Sequence, residues 1–151
     1  MSKKLQTLQT RTHQISEEYP PNYEEVKKFF NIADDKGIVF TYGDTLYNPY
    51  KFDLPEHLLI HEKVHTSQQL KPSEWWAQYF TDKDFRLEQE LEAYIAQYAF
   101  IKKVYKGKVS KEALTRLALD LSSEMYGNII SYSDAETRIR RGARELLEEV
   151  V

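Results

Sequence analysis

The segment Pro55-Glu56-His57-Leu58-Leu59-Ile60-His61-Glu62-Lys63-Val64-His65 reads as the first part of a helix running to about residue 70. Leu58, Leu59 and Val64 give it an apolar side, while His61 and His65 fall one turn apart on another. Two imidazoles so placed can aim at a single point. Glu62 lies about 100° around the helix from His61, so it does not join them readily but reaches a molecule held in front of them.

Downstream the chain reads as helices. A short one over about 73 to 80 holds Trp75, Trp76, Tyr79 and Phe80, and a long one over about 84 to 105 carries Leu87, Leu91, Tyr94, Tyr98 and Ile101 at helical spacing. Gly107 stops the long helix and Ser110 opens another, with Leu114, Leu117 and Leu121 inward. Ser133 and Glu136 form a capping box for the last helix, which turns Ile139, Ala143, Leu146 and Leu147 to the core.

Upstream, Gly37-Ile38-Val39-Phe40-Thr41-Tyr42 is the clearest strand. Gly43-Asp44 is a hairpin turn signal, and Thr45-Leu46-Tyr47-Asn48 returns as the second strand until Pro49 ends the pairing. Asn22 with Glu25 predicts a capped helix from Tyr23 to about Asn31. The polar residues 1–21, ending in Pro20-Pro21, read as an arm or short helix plus linker. The expected fold class is therefore α+β and mostly helical: one domain over 22–151, a β-hairpin before the His61 helix, and a helical C-terminal body.

With 151 residues, 41% hydrophobic and 13% aromatic, the chain has the makeup of a folded domain with one core. Its net charge of −3 is spread along the sequence, which argues against a nucleic-acid partner. No apolar run reaches the length of a transmembrane helix, and the start, Met1-Ser2-Lys3-Lys4, has no apolar stretch behind it. No membrane partner is expected, and the expected location is the cytoplasm.

The chain has no cysteine, so any metal must be held by histidine and carboxylate. Zinc suits His61 and His65, with Glu62 as general base. A catalytic zinc needs a third protein ligand, and His57 cannot supply it from the same straight helix. The segment 88–94 of the long helix supplies three carboxylates, Glu88, Glu90 and Glu92, of which Glu88 and Glu92 share a face.

His61-Glu62-Lys63-Val64-His65 followed by Glu90-Leu91-Glu92-Ala93 resembles the Glu-zincin group of metallopeptidases, and most nearly the small zincin-like peptidases of bacterial and phage genomes. The likeness covers roughly residues 38 to 100. Gln68 and Lys71 stand where a metzincin would carry Gly and its third His. The resemblance implies a Glu on the downstream helix as third ligand, usually before a small residue, and so picks Glu92 above Glu88. It also implies an edge strand, here Ile38 to Tyr42, that holds a peptide or protein substrate by β-addition. The implied reaction is peptide hydrolysis. No His follows His65, so a Tyr or Arg must stabilise the oxyanion, and Tyr126 and Tyr94 are the candidates. Two other readings stand beside this one: a zincin-fold protein with a structural or binding zinc, and a metal-free helical interaction module.

Overall fold

The computed structural model describes residues 3–31 and 39–148. In chain order the elements are α1 (Lys3–Thr10), β1 (Gln14–Ser16), α2 (Tyr23–Phe30), β2 (Phe40–Tyr42), β3 (Thr45–Tyr47), α3 (Glu56–Gln68), α4 (Pro72–Thr81), α5 (Lys83–Val104), α6 (Lys108–Leu121), a 3-10 turn (Glu124–Tyr126) and α7 (Tyr132–Glu148). The domain is α+β, mostly helical with one small sheet. Among the described residues no helix is long and apolar enough to cross a membrane.

The hairpin forms where Gly43-Asp44 predicts it, with Tyr42 paired to Thr45. Gly43 sits at φ +66°, the left-handed conformation that the first corner of such a turn requires and that glycine adopts without strain. Gly37 and Ile38, expected at the start of the strand, lie outside the described residues.

The N-terminal segment is more than an arm. Leu5 and Leu8 of α1 are buried in the main core with Ile60 and Val64 of α3. Residues 14–16 add a strand, β1, which pairs parallel with β3 and gives the order β1-β3-β2. Gln-Ile-Ser is too short to show strand alternation, and Ile15 is exposed, so pairing rather than burial makes it a strand.

Neither expected capping box forms. Asn22 gives α2 no side-chain cap, and both polar atoms of its side chain are buried without a partner. At α7 it is Ser131, not Ser133, whose hydroxyl accepts a hydrogen bond, from the Asp134 amide at 3.1 Å. The sixth helix begins at Lys108 rather than Ser110, whose hydroxyl is instead buried 3.2 Å from that of Tyr98.

Helix α5 is the centre of the helical body, packed between α3 on one side and α6 and α7 on the other. Burial on several faces explains why Ala93, Ala96 and Ala99 are wholly enclosed: small residues let neighbouring helices approach. Gly142 of α7 is pressed against α5, where a Cβ would lie 2.3 Å from Ile95 Cδ1. A second, aromatic core of Val26, Phe40, Trp75, Trp76 and Tyr79 fills the space between α2, β2 and α4. Phe30 of α2 packs against both cores.

Candidate metal centre

His61, Glu62 and His65 are all buried on α3, each at most 7% exposed. A helix face with three ionisable groups is costly to enclose unless each finds a partner. Each does. His65 Nε2 lies 3.2 Å from His61 Nε2 and 3.2 Å from Glu90 Oε1, and His61 Nε2 lies 3.4 Å from the same oxygen. His61, His65 and Glu90 form the one group of three potential ligands that comes together among the described residues.

The outer atoms of these side chains are held as firmly as the inner ones. His61 Nδ1 meets Gln97 Oε1 at 2.9 Å, and His65 Nδ1 meets Gln68 Oε1 at 2.8 Å. Gln68 has a fixed orientation, because its Nε2 donates to the carbonyl of Gln89 at 3.0 Å and to Glu92 Oε1 at 3.3 Å. Its oxygen therefore faces His65, and the neutral ring carries its hydrogen on Nδ1. Gln97 does the same for His61 while its nitrogen donates to His57 Nδ1 at 2.9 Å. Both Nε2 atoms are left with lone pairs directed at Glu90 Oε1. Tyr79 donates to the other oxygen of Glu90 at 2.7 Å, and the rings of Tyr94 and Trp75 pack edge-on against His61 and His65.

Three lone pairs converging on one point repel unless a proton or a cation lies among them. Burial disfavours the His65 imidazolium, but the facing charge and hydrogen bond of Glu90 outweigh it and hold the ring's pKa up to about 9. Burial likewise opposes ionisation of Glu90, and the two histidines overturn that, holding its carboxyl well below the usual range.

Tetrahedral zinc, with bonds of about 2.0–2.1 Å to imidazole nitrogen and carboxylate oxygen, sets neighbouring donors about 3.3 Å apart. The observed edges of 3.2, 3.2 and 3.4 Å match one face of that tetrahedron. Two histidines tautomerically fixed through Nδ1 and one carboxylate are a donor set that zinc accepts.

Glu92, the expected third ligand, is not brought to this point. It is exposed on α5, two residues past Glu90 and so about 200° around the helix. Glu88 is also outward, 3.5 Å from Arg138 of α7. The missed residue had a signal: Glu90 lies one turn before Tyr94 and two before Gln97, inside the buried stripe of α5, where an acid needs a partner.

Glu62 faces the same small cavity as the triad, and its Oε2 accepts from the Thr41 hydroxyl of β2 at 2.6 Å. Tyr126 also lines that cavity and exchanges a hydrogen bond with Tyr94, hydroxyl to hydroxyl, at 2.8 Å. Burial, reinforced by the Glu90 charge, pushes the Tyr126 phenol well above its ordinary pKa, so it stays a donor. Buried Arg86 secures this wall: it donates to the carbonyls of Tyr126 at 2.9 Å and Tyr79 at 2.5 Å, while its guanidinium lies over the Phe29 ring. It takes these carbonyls rather than Glu90, one turn along its own helix. Lys63 is half-buried and reaches the carbonyl of Gln9 at 3.3 Å, tying α3 to the N-terminal segment.

Compared with protein-family models, curated proteins and solved structures, the chain matches none.

Proposed function

We propose that this chain is a zinc-dependent hydrolase of peptide bonds, a zincin-like domain acting in the cytoplasm on a peptide or protein substrate. His61, His65 and Glu90 hold the metal, and Glu62 is the general base. One observation carries the reading. Three buried donor atoms, two of them imidazole nitrogens whose neutral rings carry their hydrogen on Nδ1, stand 3.2–3.4 Å apart, at the edge lengths of a zinc tetrahedron.

Zinc bound there would supply Lewis-acid polarisation of a carbonyl and acidify a water molecule. The rest is the work of the chain. Glu62, next to His61 but pointing to the cavity, takes a proton on its carboxylate and passes it to the leaving amine. Thr41 holds one Glu62 oxygen, which leaves the other for that transfer. Tyr126, kept neutral by burial, donates to the oxygen on which negative charge develops. The aromatic walls exclude bulk water, which strengthens each of these interactions.

Glu62→Gln tests the assignment. The variant should keep one zinc per chain and lose hydrolysis by about a hundredfold or more. Full hydrolysis by the variant contradicts the mechanism. A second reading, a zinc site that binds without cleaving, is favoured by the small size of the cavity, about 70 Å³. On that reading the chain holds its zinc and neither form hydrolyses any peptide in a mixed library. A chain that retains no zinc at all points to the metal-free interaction module.

A further inference from the structure

At its hairpin end, the outer edge of β2, where a zincin-like reading would lay an extended peptide, is already taken. In a two-residue hairpin Tyr42 pairs with Thr45, so the main-chain groups of Thr41 and Gly43 that do not face β3 point away from the sheet. A strand added there needs the Thr41 carbonyl and the Gly43 amide. The primary amide of Gln69 holds both: its Oε1 accepts from Gly43 N at 2.8 Å and its Nε2 donates to Thr41 O at 3.1 Å. Trp76 Nε1 adds a second donor to Thr41 O at 3.2 Å.

These are not loose surface contacts. Gln69 is 4% exposed and Trp76 6% exposed, and Trp76 belongs to the aromatic core. Gln69 follows the end of α3, four residues from His65, and its main-chain N–H still closes the last turn of that helix on the His65 carbonyl. Gln69 is therefore tied to the end of the helix that carries His61 and His65, and Trp76 reaches the same carbonyl from α4.

The space in front of the triad is correspondingly small. The cavity bounded by His61, Glu62, His65 and Glu90 on one side and by Trp76 and Tyr126 on the other measures about 70 Å³. For comparison, an engineered apolar cavity of about 150 Å³ takes up benzene. A group of only a few heavy atoms fits here.

We infer that the substrate offers the centre a compact acyl group, acetyl or glycyl in size, on a small amide or at a chain end. Gln69 and Trp76 set this preference by closing the β2 edge to an extended polypeptide. The inference rests on the hydrolase reading above and narrows its substrate class.

Cobalt(II) loaded into the full-length chain in place of zinc supplies a visible spectrum that responds to ligands at the metal. Acetohydroxamate and a tetrapeptide hydroxamate with bulky side chains are the two probes. Acetohydroxamate should shift the spectrum at a concentration at least about tenfold lower than the tetrapeptide hydroxamate does. Gln69→Ala should tighten the tetrapeptide hydroxamate about tenfold while leaving acetohydroxamate within about twofold, and Trp76→Phe, which keeps the ring and loses the N–H, should move the same way. Equal or tighter binding of the tetrapeptide hydroxamate by the unmodified chain overturns the inference, as does failure of acetohydroxamate to change the spectrum, or an unchanged preference in a folded Gln69→Ala. A chain that takes up no cobalt overturns the metal reading and this inference together, whereas a cobalt spectrum without the preference overturns this inference alone.

Discussion

Glu92 accepts a hydrogen bond from Gln68 Nε2 at 3.3 Å, and the opposite end of that amide lies 2.8 Å from His65 Nδ1. The carboxylate that a family resemblance offers as a metal ligand thus acts one residue further out. It helps hold the amide that fixes the tautomer of His65. Glu90, buried two residues earlier, takes the inner position, with one oxygen on the histidines and the other on Tyr79.

This division of labour separates two alanine variants. Glu90→Ala removes one of three donors and should weaken zinc binding by more than about a hundredfold. Glu92→Ala leaves Gln68 its second anchor, the Gln89 carbonyl, and should cost less than about tenfold. Competition with a chromophoric chelator measures both. Equal losses, or a larger loss for Glu92→Ala, contradict the assignment.

Gln68→Leu keeps the size of the side chain and removes the acceptor from His65 Nδ1. Outer partners of this kind are worth about 10- to 100-fold in metal affinity. The expected result is a loss in that range with the fold intact by circular dichroism. Unchanged affinity would mean that the tautomer is not set by Gln68.

The pH dependence follows from the His65–Glu90 contact. The His65 pKa is raised from 6.5 to about 9, so in metal-free protein this contact stabilises in full below about pH 6.5 and is lost as pH rises through 9. The Glu90 pKa is lowered from 4.5, so its contribution is present above 4.5 and lost as pH falls below it. A metal ion bound as proposed would take the place of the His65 proton. Zinc affinity should therefore climb between pH 6.5 and 9, and chelator-treated protein should lose melting temperature over that range relative to zinc-loaded protein. A constant difference between the two forms across that range contradicts this coupling.

Leu5 is wholly buried against the main core. Leu5→Ala should lower the unfolding free energy by about 2–4 kcal/mol, the usual loss for a leucine in a packed interior. Urea denaturation measures it. A loss below about 0.5 kcal/mol would mean that residues 3–10 do behave as a separate arm.

Some of this was legible in the residues and some was not, for identifiable reasons. The His61 helix, the Gly43-Asp44 hairpin and the long α5 follow local rules: periodicity, a turn glycine, an apolar stripe. The role of residues 1–21 depends on pairing between β1 and β3, 31 residues apart, and Gln14-Ile15-Ser16 is too short to carry a local trace of that. The capping boxes fail because Asn22 is turned inward and because α7 begins at Tyr132, which puts Ser133 inside the helix and leaves the cap to Ser131. The choice among Glu88, Glu90 and Glu92 turns on which face of α5 meets α3. With α5 buried on several sides, its apolar pattern alone leaves that face ambiguous, and only the rule that an enclosed acid must be partnered singles out Glu90.

The most direct measurement is a crystal of the protein grown with zinc, with anomalous data collected above and below the zinc absorption edge. One peak should appear between His61 Nε2, His65 Nε2 and Glu90 Oε1, at about 2.0–2.1 Å from each. No peak there, or a peak held by Glu92 in place of Glu90, would contradict the account.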